Sequence, residues 1–215
     1  MLSDSMYFEN TTVKDCTITD YFQGVYIKGA DGATVANNTI KNTEHNAISI
    51  QSLTNNETKG NVTIKENFIS NAGDRAIRFI DIAGDAVVNI NNNIMVNSGN
   101  SDGELIKANV ASGAKVNLEN NYWDGEDASK AVAGNLTKPE AVGIVGGTFK
   151  ETVTAAYCAP GFVGAQNADG TFTAVPVGNL SGLPHTGDQS SAMAWLLLLC
   201  ASCAGVIGLR KRVHG

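Results

Sequence analysis

Apolar and polar residues alternate in short runs over residues 11–125, and the runs themselves recur. Five stretches align: Val13-Lys14-Asp15-Cys16-Thr17-Ile18, Val35-Ala36-Asn37-Asn38-Thr39-Ile40, Ile64-Lys65-Glu66-Asn67-Phe68-Ile69, Ile90-Asn91-Asn92-Asn93-Ile94-Met95 and Leu118-Glu119-Asn120-Asn121-Tyr122-Trp123. Their fourth residue falls at 16, 38, 67, 93 and 121, so the steps are 22, 29, 26 and 28 residues. A second strand is expected at a near-constant offset. Tyr26, Ile48 and Ile77 each stand ten residues after the fourth position, and Ile106 stands thirteen after, once the turn at 98–103 is inserted. Gly29-Ala30-Asp31-Gly32 and Asn71-Ala72-Gly73 separate the runs as turns.

A unit this short cannot bury its own apolar face, whereas a stack of such units can. The pattern therefore predicts a right-handed parallel β-helix of about five coils. Its like residues stack about 4.8 Å apart in a rod of roughly 24 Å. An Asn repeated at one inward or corner position is satisfied by bonding to its neighbours along the axis, so Asn38, Asn67, Asn93 and Asn121 read as structural. The competing architecture, a β-sandwich, also uses short strands but does not require a constant offset between them. Cys16 takes the Asn position in the first unit and reads as an inward strand residue. The repeats resemble the parallel β-helix proteins of the pectin-lyase-like class over about half of the chain, a scaffold that hosts many activities. No capping segment precedes the first unit, so its strands present an open edge.

The style changes from residue 141. Gly146-Gly147-Thr148-Phe149 and Asn167-Ala168-Asp169-Gly170-Thr171-Phe172-Thr173 bracket a compact segment, and Asp169-Gly170 is a hairpin signal. This segment resembles the GGTF…DGTYTV unit near the C-terminus of gut bacterial surface proteins. Phe172 replaces its usual Tyr, and Ala174 its usual Val. Its first strand is expected to close the last coil.

The C-terminus carries Leu183-Pro184-His185-Thr186-Gly187, a polar run over 188–191, eighteen uncharged residues over 192–209, and Arg210-Lys211-Arg212. As a helix the eighteen would span roughly 27 Å, near the thickness of a bilayer core. Taken alone that is a membrane anchor with its basic end in the cytoplasm. Pentapeptide, apolar stop and basic tail in this order resemble the LPxTG sorting signal of Gram-positive surface proteins. The resemblance implies a sortase as partner. Its cysteine thiolate would attack the Thr186 carbonyl, the Thr186–Gly187 bond would break, and a peptidoglycan amine would take over Thr186. Pro184 holds the segment bent and non-helical, able to enter a cleft. The expected organisation is thus all-β: β-helix over 1–143, hairpin module over 144–176, linker with the sorting motif over 177–191, transmembrane helix over 192–209 and basic tail over 210–215.

Composition sharpens this picture in three places. Aromatics are 7% and charged residues 17% of 215, with 23 Gly, which suits short strands and turns. Net charge is −6; cleavage after Thr186 removes Asp188 and three basic residues, leaving 12 basic against 20 acidic, or −8. An acidic body argues against a nucleic-acid partner. The four cysteines (Cys16, Cys158, Cys200 and Cys203) build no disulfide framework, and the Cys200–Cys203 spacing lies inside the apolar run. Residues 1–10 hold no secretory signal, so the expectation is a C-terminal piece of a longer, exported protein.

Enzymes of this scaffold class need clustered carboxylates, as calcium ligands or as an acid/base pair. The densest local cluster is Asp74, Arg75, Arg78, Asp81 and Asp85. Ser49, Arg78 and Lys107 fall at equivalent outward positions of successive units, so Arg78 and Lys107 stack as a basic patch on an acidic body. Arg75, Arg78 and Lys107 are the candidate contacts for an acidic sugar of a host or plant polysaccharide. The plainer reading pairs Arg78 and Lys107 with Asp81 or Asp85 on a solvated face. His45 stands alone in a turn, and no cofactor or metal is implied. Two functions follow. One is a cell-wall-anchored surface protein, held at the membrane before cleavage and joined covalently to peptidoglycan through Thr186, with the β-helix as stalk or glycan-binding surface. The other is the end of a polysaccharide lyase or glycoside hydrolase whose catalytic coils lie upstream.

Overall fold

A computed structural model describes residues 8–134 and 142–178. The described residues up to Val177 belong to one compact unit. The sorting motif, the apolar run over 192–209 and the basic tail lie outside the described residues. Among the described residues no helix is long and apolar enough to cross a membrane.

The repeats form a parallel β-solenoid of five turns, each contributing one strand to each of three sheets. The first sheet stacks β1 (Phe8–Lys14), β4 (Ala30–Ala36), β7 (Lys59–Lys65), β10 (Val87–Asn91) and β13 (Lys115–Glu119). The second carries β2 (Thr17–Thr19), β5 (Thr39–Thr43), β8 (Phe68–Ala72), β11 (Ile94–Val96) and β14 (Asn121–Gly125). The third holds β3 (Val25–Lys28), β6 (Ile48–Gln51), β9 (Ile77–Ile82), β12 (Ile106–Val110) and β15 (Val132–Gly134). Every neighbouring pair within these turns is parallel.

Register converts the sequence repeat into columns. Val13, Val35, Ile64, Ile90 and Leu118 stack inward in the first sheet. Ile18, Ile40, Ile69, Met95 and Trp123 do so in the second, and Val25, Ile48, Ile77, Ile106 and Val132 in the third. The third column corrects the expected offset in the first coil, since Val25 rather than Tyr26 aligns with Ile48. Counted between register partners, the turn between β2 and β3 is one residue shorter than the two that follow it. Tyr26 therefore points outward, with 46% of it exposed.

Between the first and second sheets each coil turns on two residues. The first adopts a left-handed conformation, at Asp15, Asn37, Glu66, Asn92 and Asn120, with φ of 53–57°. Asn and Asp tolerate this because their short side chains bond locally. The second residue is the buried amide ladder. Asn67 shows its logic. Its Nδ2 donates to Val35 O and to Asn93 Oδ1, each at 2.9 Å, while its Oδ1 accepts from the backbone N and the Nδ2 of Asn38, each at 3.0 Å. All of its hydrogen-bonding capacity is used, so an amide can sit 1% exposed beside an aliphatic core.

Beyond the fifth turn, β16 (Ile144–Phe149) continues the second sheet in parallel with β14. The hairpin of β17 (Phe162–Gln166) and β18 (Phe172–Pro176) then joins it antiparallel. The expected turn is present. Asn167 N and Thr171 O bond at 2.7 Å, and Gly170 takes φ 87°. Gly147 makes the junction possible, because a Cβ there would lie 1.4 Å from Trp123 O and its φ is 122°.

Cys16 departs from expectation. It occupies the ladder position, yet it is exposed, because no described coil lies over it. Cys158 follows a 3-10 turn (Ala155–Tyr157), and partial burial pushes its thiol pKa up.

Candidate functional site

The outward column of the third sheet runs Tyr26, Ser49, Arg78, Lys107 and Ala133, with register pairing each to the next. The equivalence of Ser49, Arg78 and Lys107 inferred from spacing therefore holds. Strand parity puts them on the outer face, because Ile77 and Phe79 on either side of Arg78 are fully buried.

The column is chemically graded. At the first coil the Tyr26 hydroxyl donates to Gln51 Oε1 at 2.6 Å, and the Lys28 ammonium lies 4.7 Å from the centre of the Tyr26 ring. Ser49, on the next coil, is only 2% exposed. Arg78 and Lys107 follow on consecutive coils. Among the described residues neither closes an ion pair with a carboxylate, so the pairing to Asp81 or Asp85 considered above is not formed. Asp81 and Asp85 are both exposed, and Asp81 takes a left-handed φ of 54° within β9.

Arg75 behaves differently from its two companions. Its Nη1 donates to Asp74 Oδ1 at 2.6 Å and to Oδ2 at 2.8 Å. Its Nε donates to Glu104 Oε2 at 2.8 Å, and its Nη2 closes on the same oxygen. Only 11% of its side chain is exposed. The guanidinium thus joins two carboxylates of successive coils, and this saturated geometry corrects its placement among open sugar contacts. Glu104 is held further by Asn100, whose Nδ2 donates to Glu104 Oε2 and whose Oδ1 accepts from the Glu104 backbone. Burial would raise the Glu104 pKa. The bonds and charge of Arg75, the charge of Lys107 and the Asn100 bond outweigh it, leaving the carboxyl below its usual range.

Two open depressions flank the far end of the column. One is bordered by Asp102, Glu104, Lys130 and Ala133, the other by Glu57, Asp81, Asn109 and Gly134. Neither encloses a substrate. Among the described residues no group of three His, Cys, Asp or Glu side chains is placed to hold a metal ion. His45 packs its ring against Phe22, centroids 4.6 Å apart, as a turn residue. On the second sheet, burial raises the Asp124 pKa even though its Oδ1 accepts from Thr148 N at 2.7 Å.

Sequence reasoning missed the Glu104 arm of the Arg75 clamp, because 29 residues separate the partners and an inserted turn lies between. It also missed a second, exposed amide ladder at the close of the second-sheet strands. There Asn97 donates to Asn71 at 2.8 Å, Asn71 to Asn42 at 2.9 Å and Asn42 to Asp20 at 3.0 Å. That signal was available. Each of these residues stands four positions after the buried ladder residue of its own coil.

Comparison with known proteins adds one match. The family model described as the right handed beta helix region matches residues 2–122, more than half of the chain. No curated protein and no solved structure matches.

Proposed function

This chain belongs to the right-handed β-helix family, and we propose that it is the wall-proximal part of a cell-wall-anchored surface protein. In this reading a sortase cleaves between Thr186 and Gly187 and transfers Thr186 to peptidoglycan, and the β-helix is a stalk whose third sheet offers a contact for acidic glycans. One observation carries the anchoring: Leu183 to Gly187, an uncharged run of eighteen residues and Arg210-Lys211-Arg212 follow one another in the order a sorting signal requires. The chain is substrate in that reaction and supplies no catalytic group.

The glycan contact rests on Arg78 and Lys107. A column of cations one coil apart suits a chain bearing one carboxylate per sugar, since guanidinium and ammonium groups bond carboxylates. The lyase or glycosidase reading is weaker on this face. The carboxylates of Asp74 and Glu104 are already bound to Arg75 and are poorly placed to act as acid and base.

A Thr186→Ala variant, exported behind a signal peptide in a sortase-bearing Gram-positive host, should stay extractable by detergent. Covalent linkage of that variant to peptidoglycan ends the anchoring reading. The soluble segment 1–182 should bind polygalacturonate or alginate in preference to neutral glucan, and Arg78→Ala/Lys107→Ala should remove that preference. Release of unsaturated sugars by the same segment would instead establish a lyase.

A further inference from the structure

The outer face of the second sheet carries a column that takes no part in the contacts described above. Register aligns Thr17, Thr39, Phe68, Ile94, Tyr122 and Gly146 on successive strands. Ile40, Ile69, Met95 and Trp123 beside them are fully buried, so strand parity turns the column outward. From Phe68 to Tyr122 its members are aromatic or aliphatic. Phe68 and Tyr122 are partly exposed, and Ile94 is 42% exposed. At strand spacing, three such side chains on consecutive coils make a strip about 10 Å long. Contiguous apolar surface with polar groups at its rim is how ligand grooves and contact surfaces present themselves.

Tyr122 is seated by the strand that follows it in the sheet. A Cβ on Gly146 would lie 2.9 Å from Tyr122 Cδ2 and 3.2 Å from Cε2, so the ring lies over Gly146, which is buried. Gly147 makes room for Trp123 in the core, and Gly146 makes room for Tyr122 on the surface. Asp124, two residues along the strand from Tyr122, shares the outer face. Its Oδ1 accepts from Thr148 N at 2.7 Å, which fixes the carboxylate at the Tyr122 end of the strip. Among the described residues no cation closes an ion pair with it.

Charge decides what fits. The Asp124 carboxylate repels an acidic sugar from one end of the strip. The Lys41 ammonium, 5.3 Å from the centre of the Phe68 ring, repels a cationic ligand from the other. Ser70 and Val96, next to Lys41 in register, carry no charge. A neutral pyranose meets all of these conditions, because its axial hydrogens give an apolar face to the rings and its hydroxyls donate to the carboxylate. A lone ammonium group would use Tyr122 and Asp124 but leave Ile94 and Phe68 uncovered.

We propose that Phe68, Ile94, Tyr122 and Asp124 form a binding strip for a neutral pyranose oligosaccharide lying along the solenoid axis. The strip is on a different sheet from Arg78 and Lys107 and selects a different charge class. It is independent of the anchoring and acidic-glycan readings above.

The test titrates cellohexaose against the full chain, held in a zwitterionic detergent without a sugar head group, and reads binding by saturation-transfer difference NMR. The unmodified chain should bind, with saturation concentrated on the ring hydrogens, and more weakly than it binds polygalacturonate. Tyr122→Ala and Asp124→Asn should each weaken cellohexaose binding by about tenfold, with melting curves showing that both variants are folded. Tyr122→Phe, which keeps the ring, should bind as the unmodified chain does. Arg78→Ala/Lys107→Ala should lose polygalacturonate and keep cellohexaose, and Tyr26→Ala, which removes a ring from the third sheet, should also keep cellohexaose. The proposal is overturned if cellohexaose does not bind, if Tyr122→Ala and Asp124→Asn leave its binding unchanged, if Tyr26→Ala weakens it as much as Tyr122→Ala, or if a cationic chitosan hexamer binds more tightly.

Discussion

The last coil and the first described coil differ in what packs against them. A coil covers its apolar columns and strand edges only where a neighbour packs against it. After the fifth turn the second sheet goes on: Gly147 lets β16 seat against Trp123, and the hairpin of β17 and β18 adds strands in the opposite direction. Trp123, Ile144 and Phe149 are fully buried there. At the first described coil Val13 and Ile18 are only partly buried, and β1 to β3 are the outermost described strands of their sheets. The second sheet of the last coil is packed against β16, whereas the first described coil has no such packing partner among the described residues. Packing adds stability, so substitutions beside β16 should cost more than substitutions on the first described coil.

The largest effect is expected beside β16. Gly147→Val must move the Trp123 carbonyl and strain a left-handed residue, which should cost about 3–5 kcal/mol in urea unfolding and expose Trp123 to quenching. A near-normal unfolding midpoint would mean that the junction does not hold the end.

Next comes the ladder. Asn67→Ala strands Val35 O and the amides of Asn38 and Asn93 in a dry interior, a loss of about 2–4 kcal/mol. Cys16→Ala, at the first described rung of the same ladder, should fall within about 0.5 kcal/mol. Equal losses at both positions would erase the distinction between a middle rung and the first described one.

The apolar columns repeat the contrast at a similar size. Ile64→Ala in a fully buried position should cost about 3–4 kcal/mol, and Val13→Ala on the first described coil about 1 kcal/mol. Differential scanning calorimetry on both would check the ratio.

The smallest effect concerns the Arg75 clamp on the flank. Folding lowers the Glu104 pKa, so this carboxylate stabilises the fold at pH values above its unfolded pKa. That contribution is lost as pH falls through the lower, folded value. Glu104→Gln should therefore flatten the acid side of a stability–pH profile while leaving the neutral plateau nearly parallel. An unchanged acid limb would show that other carboxylates carry the dependence.

Much of the architecture was legible before any coordinates. Asn38, Asn67, Asn93 and Asn121 announced the coil length because a buried amide is tolerated only where another stands one coil away, so the spacing of the residues reports the spacing of the turns. Asp169-Gly170 marked its hairpin because few residues accept the backbone of that turn. The outward column of Ser49, Arg78 and Lys107 was legible for the same periodic reason. Two local readings failed. Tyr26 was displaced by one residue because its turn is shorter than the others. Cys16 was placed inside because an inward position implies burial only when a coil covers it.

By itself the sequence determined the period, the identity of the stacked residues and the closing hairpin, all properties of residues near one another or at a constant interval. Only the tertiary structure decided which cations stay open. Arg75 and Arg78 are three residues apart and alike on paper, yet one is clasped by Asp74 and Glu104 while the other faces solvent on the third sheet. It also decided that Asn97, Asn71, Asn42 and Asp20 join in a second, exposed ladder. A charge finds its partner, and a rung its neighbour, through contacts between coils whose exact turn lengths no local pattern specifies.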